Sequence, residues 1–260
     1  MDEQERMKVF FELFDPSLPR LGPGDDASTR RALSVALAAM SGEGGAPEPT
    51  GLRILDLGCG NGAQTIQLAK HVDGTILAVD NHQPFLDELR RRVEAEGVLD
   101  RVQIRLGDMA SLEVDDGSFD LIWSEGALYS MGFGDGLKAY YSKLAPGGVL
   151  GVSELCWLRP DVPEECLQYF AAMYPPMTDV DANLAAIQSC GYALLEHFTL
   201  PELSWWDAYY RPLEKRLDPF REKYAAEPEK LEVVESIQTE IDYYRKYSSY
   251  YGYVFYLMRR

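Results

Sequence analysis

The sequence predicts a doubly wound α/β protein, with a parallel sheet covered by helices on both faces. Three observations predict it. Short apolar runs rich in β-branched residues alternate with amphipathic helical stretches over roughly Gly51 to Ser153. The first run, ending at Asp56, passes into three glycines at alternate positions, Gly58, Gly60 and Gly62, and then into a helical stretch. Finally, acids stand at five successive strand ends: Asp56, Asp80, Asp108, Glu125 and Glu154. Ligands of such sheets bind at the carboxyl ends of the strands, so these acids mark one functional edge.

The chain has 260 residues, enough for one large α/β domain with an insertion or for two small domains. It is 46% hydrophobic and 26% charged, which allows both a core and a soluble surface. A net charge of −17 argues against nucleic acid or an anionic membrane surface as partner. The N-terminus, MDEQERMK, does not read as a signal peptide, and no apolar run reaches membrane-span length. Cys59, Cys156, Cys166 and Cys190 are scattered without a C-x-x-C, which fits reduced thiols and a cytoplasmic location.

Residues 1–50 read as an N-terminal helical arm. EQERMKVFFELF carries Met7, Phe10, Phe11 and Phe14 at helical spacing. A breaker-rich loop follows, and Asp26 or Ser28 is expected to cap a second helix running to Met40. SGEGGAPEPTG then reads as a flexible link. Arg53 to Asp56 is a buried strand, and glycine is needed where the chain turns sharply or a ligand comes close. The helix behind the turn offers unpaired N–H groups to a nucleotide-like ligand. The turn is not a G-x-G-x-x-G, because Ala63 stands three residues after Gly60, and it lacks the Lys-Ser/Thr end of a P-loop. Cys59 reads as a small side chain in a tight space rather than a nucleophile.

Thr75 to Asp80 is a second buried strand. Asp80 lies about 22 residues past Gly58, near the usual offset for an acid that binds ribose hydroxyls; Asn81 follows it. The next helix starts near Pro84 and ends before Gly97. Arg101 to Leu106 is a third strand, ending in Gly107-Asp108-Met109, and Phe119 to Ser124 a fourth, followed by Glu125. Leu137 to Leu144 is expected as a helix, with Ala145-Pro146-Gly147-Gly148 turning into a fifth strand, Val149 to Glu154.

These residues resemble the class I methyltransferases that use S-adenosylmethionine. Asp56-x-Gly58-x-Gly60-x-Gly62 is similar to their first motif, and Leu144-Ala145-Pro146-Gly147-Gly148 to another hallmark. Ser124-Glu125-Gly126-Ala127-Leu128-Tyr129 and Tyr250-Tyr251-Gly252-Tyr253-Val254 resemble bacterial small-molecule enzymes loosely grouped with ubiquinone- and menaquinone-biosynthesis methyltransferases. The resemblance implies a Rossmann-like sheet of seven strands with the last antiparallel. It implies S-adenosyl-L-methionine as cofactor and S-adenosyl-L-homocysteine as product. It places Asp56 close to the amino-acid part of the cofactor, Asp80 at the ribose, Asp108 and Met109 at the adenine, and Glu125 near the methionine end. Gly58, Cys59, Gly60, Asn81 and Gly107 are further expected cofactor-binding residues.

In the second half, Pro163 to Tyr174 and Asp179 to Cys190 read as helices, and Ala193 to Leu200 and Tyr253 to Arg260 as strands. The core is therefore expected at 51–200 and 253–260. Residues 201–252 form a helical insertion, a lid or a dimer element, before the last strand. The adjacent Trp205 and Trp206 point different ways on any helix, so at least one should face a cleft or partner.

Methyl transfer from a sulfonium is an in-line displacement in which the protein positions the acceptor and excludes water. Glu125 and Glu154 are the candidate catalytic acids, each alternatively a helix cap; Glu154 would be a base or pair a cationic acceptor. Tyr129, Trp157, Trp205 and Trp206 are candidates to line the substrate pocket. No metal is expected, since His71, His82 and His197 are isolated. The missing Asn-Pro-Pro-Tyr and the acidic charge argue for a small-molecule acceptor, and a homodimer is compatible with the insertion. Alternatives are a non-catalytic module that binds the cofactor or its product, an aminopropyltransferase-like enzyme, and a nicotinamide oxidoreductase, which the imperfect glycine pattern disfavours.

Overall fold

The computed structural model describes residues 1–41 and 49–260; most of the expected link between Ser41 and Gly51 lies outside them. Among the described residues, eight strands form one sheet: β1 (Leu52–Leu57), β2 (Gly74–Asp80), β3 (Val102–Leu106), β4 (Phe119–Glu125), β5 (Leu144–Trp157), β6 (Thr178–Asp179), β7 (Ala193–Thr199) and β8 (Tyr251–Arg259). The order is β3-β2-β1-β4-β5-β8-β7, with β6 pairing the end of β5. All pairs through β5 are parallel, and β8 runs antiparallel between β5 and β7. The sheet thus has the predicted mixed topology, and its one addition is β6, a two-residue strand too short to show as a sequence pattern.

Helices cover both faces, as they must when a parallel sheet is apolar on both sides. α2 (Asp26–Met40), α3 (Ala63–His71) and α4 (Gln83–Ala95) cover one face; α5 (Phe133–Tyr141) and α7 (Val180–Ser189) cover the other. Along β1, Ile54 joins the first core and Leu55 the second, which is why the strand reads as continuously apolar. Asp25, not Asp26 or Ser28, caps α2: its carboxylate accepts from Ser28 N at 2.8 Å. α5 begins four residues earlier than predicted and stops at Tyr141. Gly134 and Gly136 weaken the helical signal there, yet a Cβ at Gly136 would press on Leu128 at 2.6 Å. Leu144 therefore opens β5 rather than ending a helix, pairing Phe119 across an irregular register.

The third core lies beyond the sheet. α1 (Glu3–Leu13), α6 (Glu164–Met173), α8 (Leu203–Trp205), α9 (Arg211–Lys223) and α10 (Pro228–Tyr247) pack there on Leu155, Trp157, Tyr251 and Tyr253. A π turn, Trp206–Tyr210, joins α8 to α9. The insertion thus rises from one end of the β7–β8 pair and shares its core with the N-terminal helix.

Candidate active site

The turn after β1 is built by collisions that only glycine avoids. Gly58 has φ +66°, and a Cβ there would strike Ala127; Gly62 has φ +86° and would strike Leu89. The space kept open is the floor of a cavity of about 340 Å³ at the carboxyl ends of β1–β4. Gly58, Cys59, Gly60, Asp80, Asn81, Gly107, Asp108, Met109, Glu125 and Tyr129 all line it. They come from four separate loops after parallel strands, brought together by the sheet alone.

Asp80 stands at the end of β2. Its oxygens accept from Gly60 N and from His82 N, each at 2.9 Å. Burial pushes its pKa up, against those amide bonds. Asp108 accepts from Ala110 N at 2.9 Å and so holds the turn carrying Met109. Met109 is further tied by Tyr140, whose hydroxyl donates to the Met109 carbonyl at 2.7 Å.

Asp56 does not line the cavity. It is wholly buried behind the glycine turn, where Thr65 Oγ1 donates to it at 2.6 Å and Gln64 Nε2 at 3.4 Å. Burial pushes its pKa up to about 7. The acid thus fastens α3 to β1, because the end of β1 is already covered by the helix that follows it.

Glu125 sits in the cavity wall, but both its oxygens are engaged. Oε1 accepts from Thr29 Oγ1 at 2.7 Å and Trp123 Nε1 at 2.9 Å; Oε2 accepts from Arg20 at 3.0 Å. Arg20 is itself buried and also reaches Asp26 and Thr29. Asn61 and Arg92 add donors to the carbonyls of Pro16 and Leu18. These contacts hold the loop after α1 over the cavity, with Phe10, Phe11 and Phe14 along its roof. Phe11 stacks on His82 with ring centroids 3.8 Å apart.

A second cavity of about 280 Å³ opens from the first beneath the insertion. The two share Phe10, Phe14, Leu21, Gly126 and Tyr129, so Tyr129 stands at their junction. The walls of the second are mostly aromatic and include Trp205, which stacks on Tyr244 at 4.1 Å. Trp206 is outside: it lies beyond α8 under Arg245, with its indole N–H on Glu202. Trp157 also misses the cavity and packs edge-on against Phe170 and Tyr251.

Glu154 lines neither cavity. Strand alternation puts it on the face of Val152 and Cys156, in a recess of about 290 Å³ beside α7. Tyr174 donates to it at 2.6 Å, and burial pushes its pKa up to about 7. Tyr174 also lines the aromatic cavity and stands between that cavity and the acid.

Sequence reasoning missed Arg20, Thr29 and Asn61, whose partners lie far along the chain. It also missed Glu240, the only acid lining the aromatic cavity among the described residues. A signal for Glu240 existed: it lies on the apolar stripe of α10, three residues after Ile237 and four before Tyr244.

The chain has relatives in both sequence and fold. Residues 54–148 match the family described as a methyltransferase domain. Sterol 24-C-methyltransferase erg6 of Aspergillus fumigatus is 27% identical over 173 residues, covering 63% of this chain and 45% of that protein. The chain spans about half the length of the curated relatives it matches. An S-adenosylmethionine-dependent methyltransferase from Thiobacillus denitrificans, solved with S-adenosyl-L-homocysteine, superposes with a TM-score of 0.78 at 22% identity. That likeness covers 96% of this chain and 98% of the other. The [4+2]-cyclase SpnF superposes with a TM-score of 0.72 at 18% identity, over 98% of this chain and 94% of that one. The chain shares the fold of these solved structures, and the likeness extends through the arm and the insertion.

Proposed function

We propose that this protein transfers a methyl group from S-adenosyl-L-methionine to a small-molecule acceptor. The observation that carries the reading is a pair of joined cavities: one ends on the Asp80 carboxylate, the other is aromatic, and they meet at Gly126 and Tyr129. The first fits a nucleoside bearing an amino-acid tail. Asp80 keeps acceptor capacity beyond its two amide bonds, which suits a ribose diol. The missing Cβ at Gly58 leaves room for the tail, and Met109 offers an apolar flank for a base.

When bound, the cofactor supplies an electrophilic methyl on a sulfonium. This chain supplies the rest. The glycine turn and Asp80 fix one reactant, the aromatic walls fix the other, and Tyr129 borders both. Phe10, Phe11 and Phe14 close the roof against water, which would otherwise compete for the site. Within the N-terminal arm, α1 and the loop after it act as this roof, 51–200 and 253–260 act as the cofactor-binding core, and 201–252 as the acceptor lid. The aromatic cavity under the lid counts against a module that merely binds the cofactor. The net charge of −17 supports a small-molecule acceptor over nucleic acid, and the unpaired thiols support a reducing cytoplasm.

The test is calorimetric titration with S-adenosylmethionine, S-adenosylhomocysteine and NADH. Micromolar binding of the two sulfur compounds and none of NADH is expected. A folded protein that ignores both sulfur compounds would overturn the reading.

A further inference from the structure

One carboxyl lines the aromatic cavity among the described residues, and burial pushes its pKa up. It belongs to Glu240, on α10, whose Oε1 accepts from Tyr210 at 3.0 Å and from Tyr209 at 3.3 Å. No protein donor among the described residues reaches Oε2. Among the described residues, no Lys, Arg or His lines the cavity to balance the carboxylate. A second group is also left open. The Tyr251 hydroxyl is buried in the same wall and has no hydrogen-bond partner among the described residues. Buried polar groups are nearly always paired, so the unpaired Tyr251 phenol, in the same cavity as a carboxylate oxygen with no protein donor, points to a guest. Tyr129, Tyr169, Trp205 and Tyr253 line the same cavity. Aromatic rings attract cations beyond the packing they offer any guest. An anionic guest would meet the Glu240 carboxylate with no counter-charge beside it.

We infer that the aromatic cavity selects an acceptor bearing a protonated amine, with Glu240 as the specificity-determining residue. This rests on the methyl-transfer reading for the cavity's role, while the recognition itself is a binding property. The ammonium is held by Glu240 Oε2 and ring faces, and the Tyr251 hydroxyl takes one of its N–H donors. The carbon body of the acceptor fills the space toward Leu21 and Met173.

Three probes of one shape separate the possibilities: benzylamine, benzyl alcohol and benzoate, titrated into protein saturated with S-adenosylhomocysteine. Saturation is measured first, so a failure to bind the cofactor product is seen separately from a failure of the acceptor site. Benzylamine is expected to bind at least tenfold tighter than benzyl alcohol, and benzoate not at all. Glu240→Gln should bring benzylamine to within about twofold of benzyl alcohol and leave S-adenosylhomocysteine affinity unchanged. Tyr251→Phe removes only an unpaired hydroxyl, so it should fold and still weaken benzylamine several-fold. Equal binding of amine and alcohol, tighter binding of benzoate, no binding of benzylamine, or a folded Glu240→Gln protein that keeps the tenfold preference would each overturn the inference.

Discussion

Asp80 holds the glycine turn and faces the cavity with the same carboxylate. Its bond from Gly60 N fixes the turn between β1 and α3, and its bond from His82 N fixes the turn between β2 and α4, before any ligand arrives. Asp80→Ala should therefore weaken S-adenosylhomocysteine by about 1.5–3 kcal/mol, the usual range for hydrogen bonds to a charged group. Asp80→Asn keeps one acceptor and should lose less. Calorimetry checks both, and a folded Ala variant with parental affinity would remove the ribose assignment. Residues of this kind were legible because their signal is local. Asp80 and Gly58 announce themselves by spacing along some twenty residues. Glu125 was equally visible as a strand-end acid, but its partner Arg20 lies 105 residues away, and no spacing links them. Glu154 was misplaced toward the cleft because a strand end says which edge a residue reaches, not which face it takes.

Besides the packing of α2 on the sheet, a buried ion pair joins the arm to it. Arg20 and Glu125 side chains are each 7% exposed. Breaking such a pair strands the remaining charge, at about 3–5 kcal/mol, whereas removing both ends with apolar replacements is often nearly neutral. Arg20→Met alone should thus lower stability by about 3 kcal/mol, and Arg20→Met with Glu125→Gln, which removes both charges but keeps an oxygen for Thr29 and Trp123, should recover most of it. Chemical denaturation of the three proteins measures this, and a double variant no better than the single would show that the pair is not the joint. Amide exchange of α1 should rise in the single variant if the roof hangs on this contact. Elements were legible where one pattern repeats, as in the five parallel strands. They blurred where packing overrides local signal: the π turn at Trp206–Tyr210 shifts the helical register, and the glycines of α5 mask a helix built to fit Leu128. Which aromatics of the insertion face inward depends on that register, so Trp205 and Trp206 could not be told apart from sequence.

At the scale of the molecule, buried acids and paired acids pull stability in opposite directions with pH. Asp56 and Glu154 are both pushed up to about 7 by burial. A carboxyl that holds its proton more tightly folded than unfolded contributes full stability below its unfolded pKa of about 4, and that contribution drains away as pH rises to about 7. Glu88 works the other way: bonds from Arg91, then Arg92, outweigh its desolvation and pull it down to about 2. Its contribution is present above its unfolded pKa of about 4.3 and lost as pH falls toward 2. Stability of the ligand-free protein should then peak near pH 4–5 and decline toward pH 8. The repulsion within a chain of net charge −17 steepens the decline and should be relieved by salt. Glu154→Gln isolates one contribution. Gln still accepts from Tyr174 but cannot ionise, so the variant should match the parent near pH 4. At pH 8 it should exceed the parent by on the order of 3 kcal/mol, because each tenfold difference in proton affinity between the folded and unfolded chain is worth about 1.4 kcal/mol. Denaturant midpoints across pH 4 to 8 for the two proteins read this directly. A parent profile flat between pH 5 and 8, or a variant that gains nothing at pH 8, would mean that Glu154 is solvated or paired in the fold and carries no buried-charge penalty.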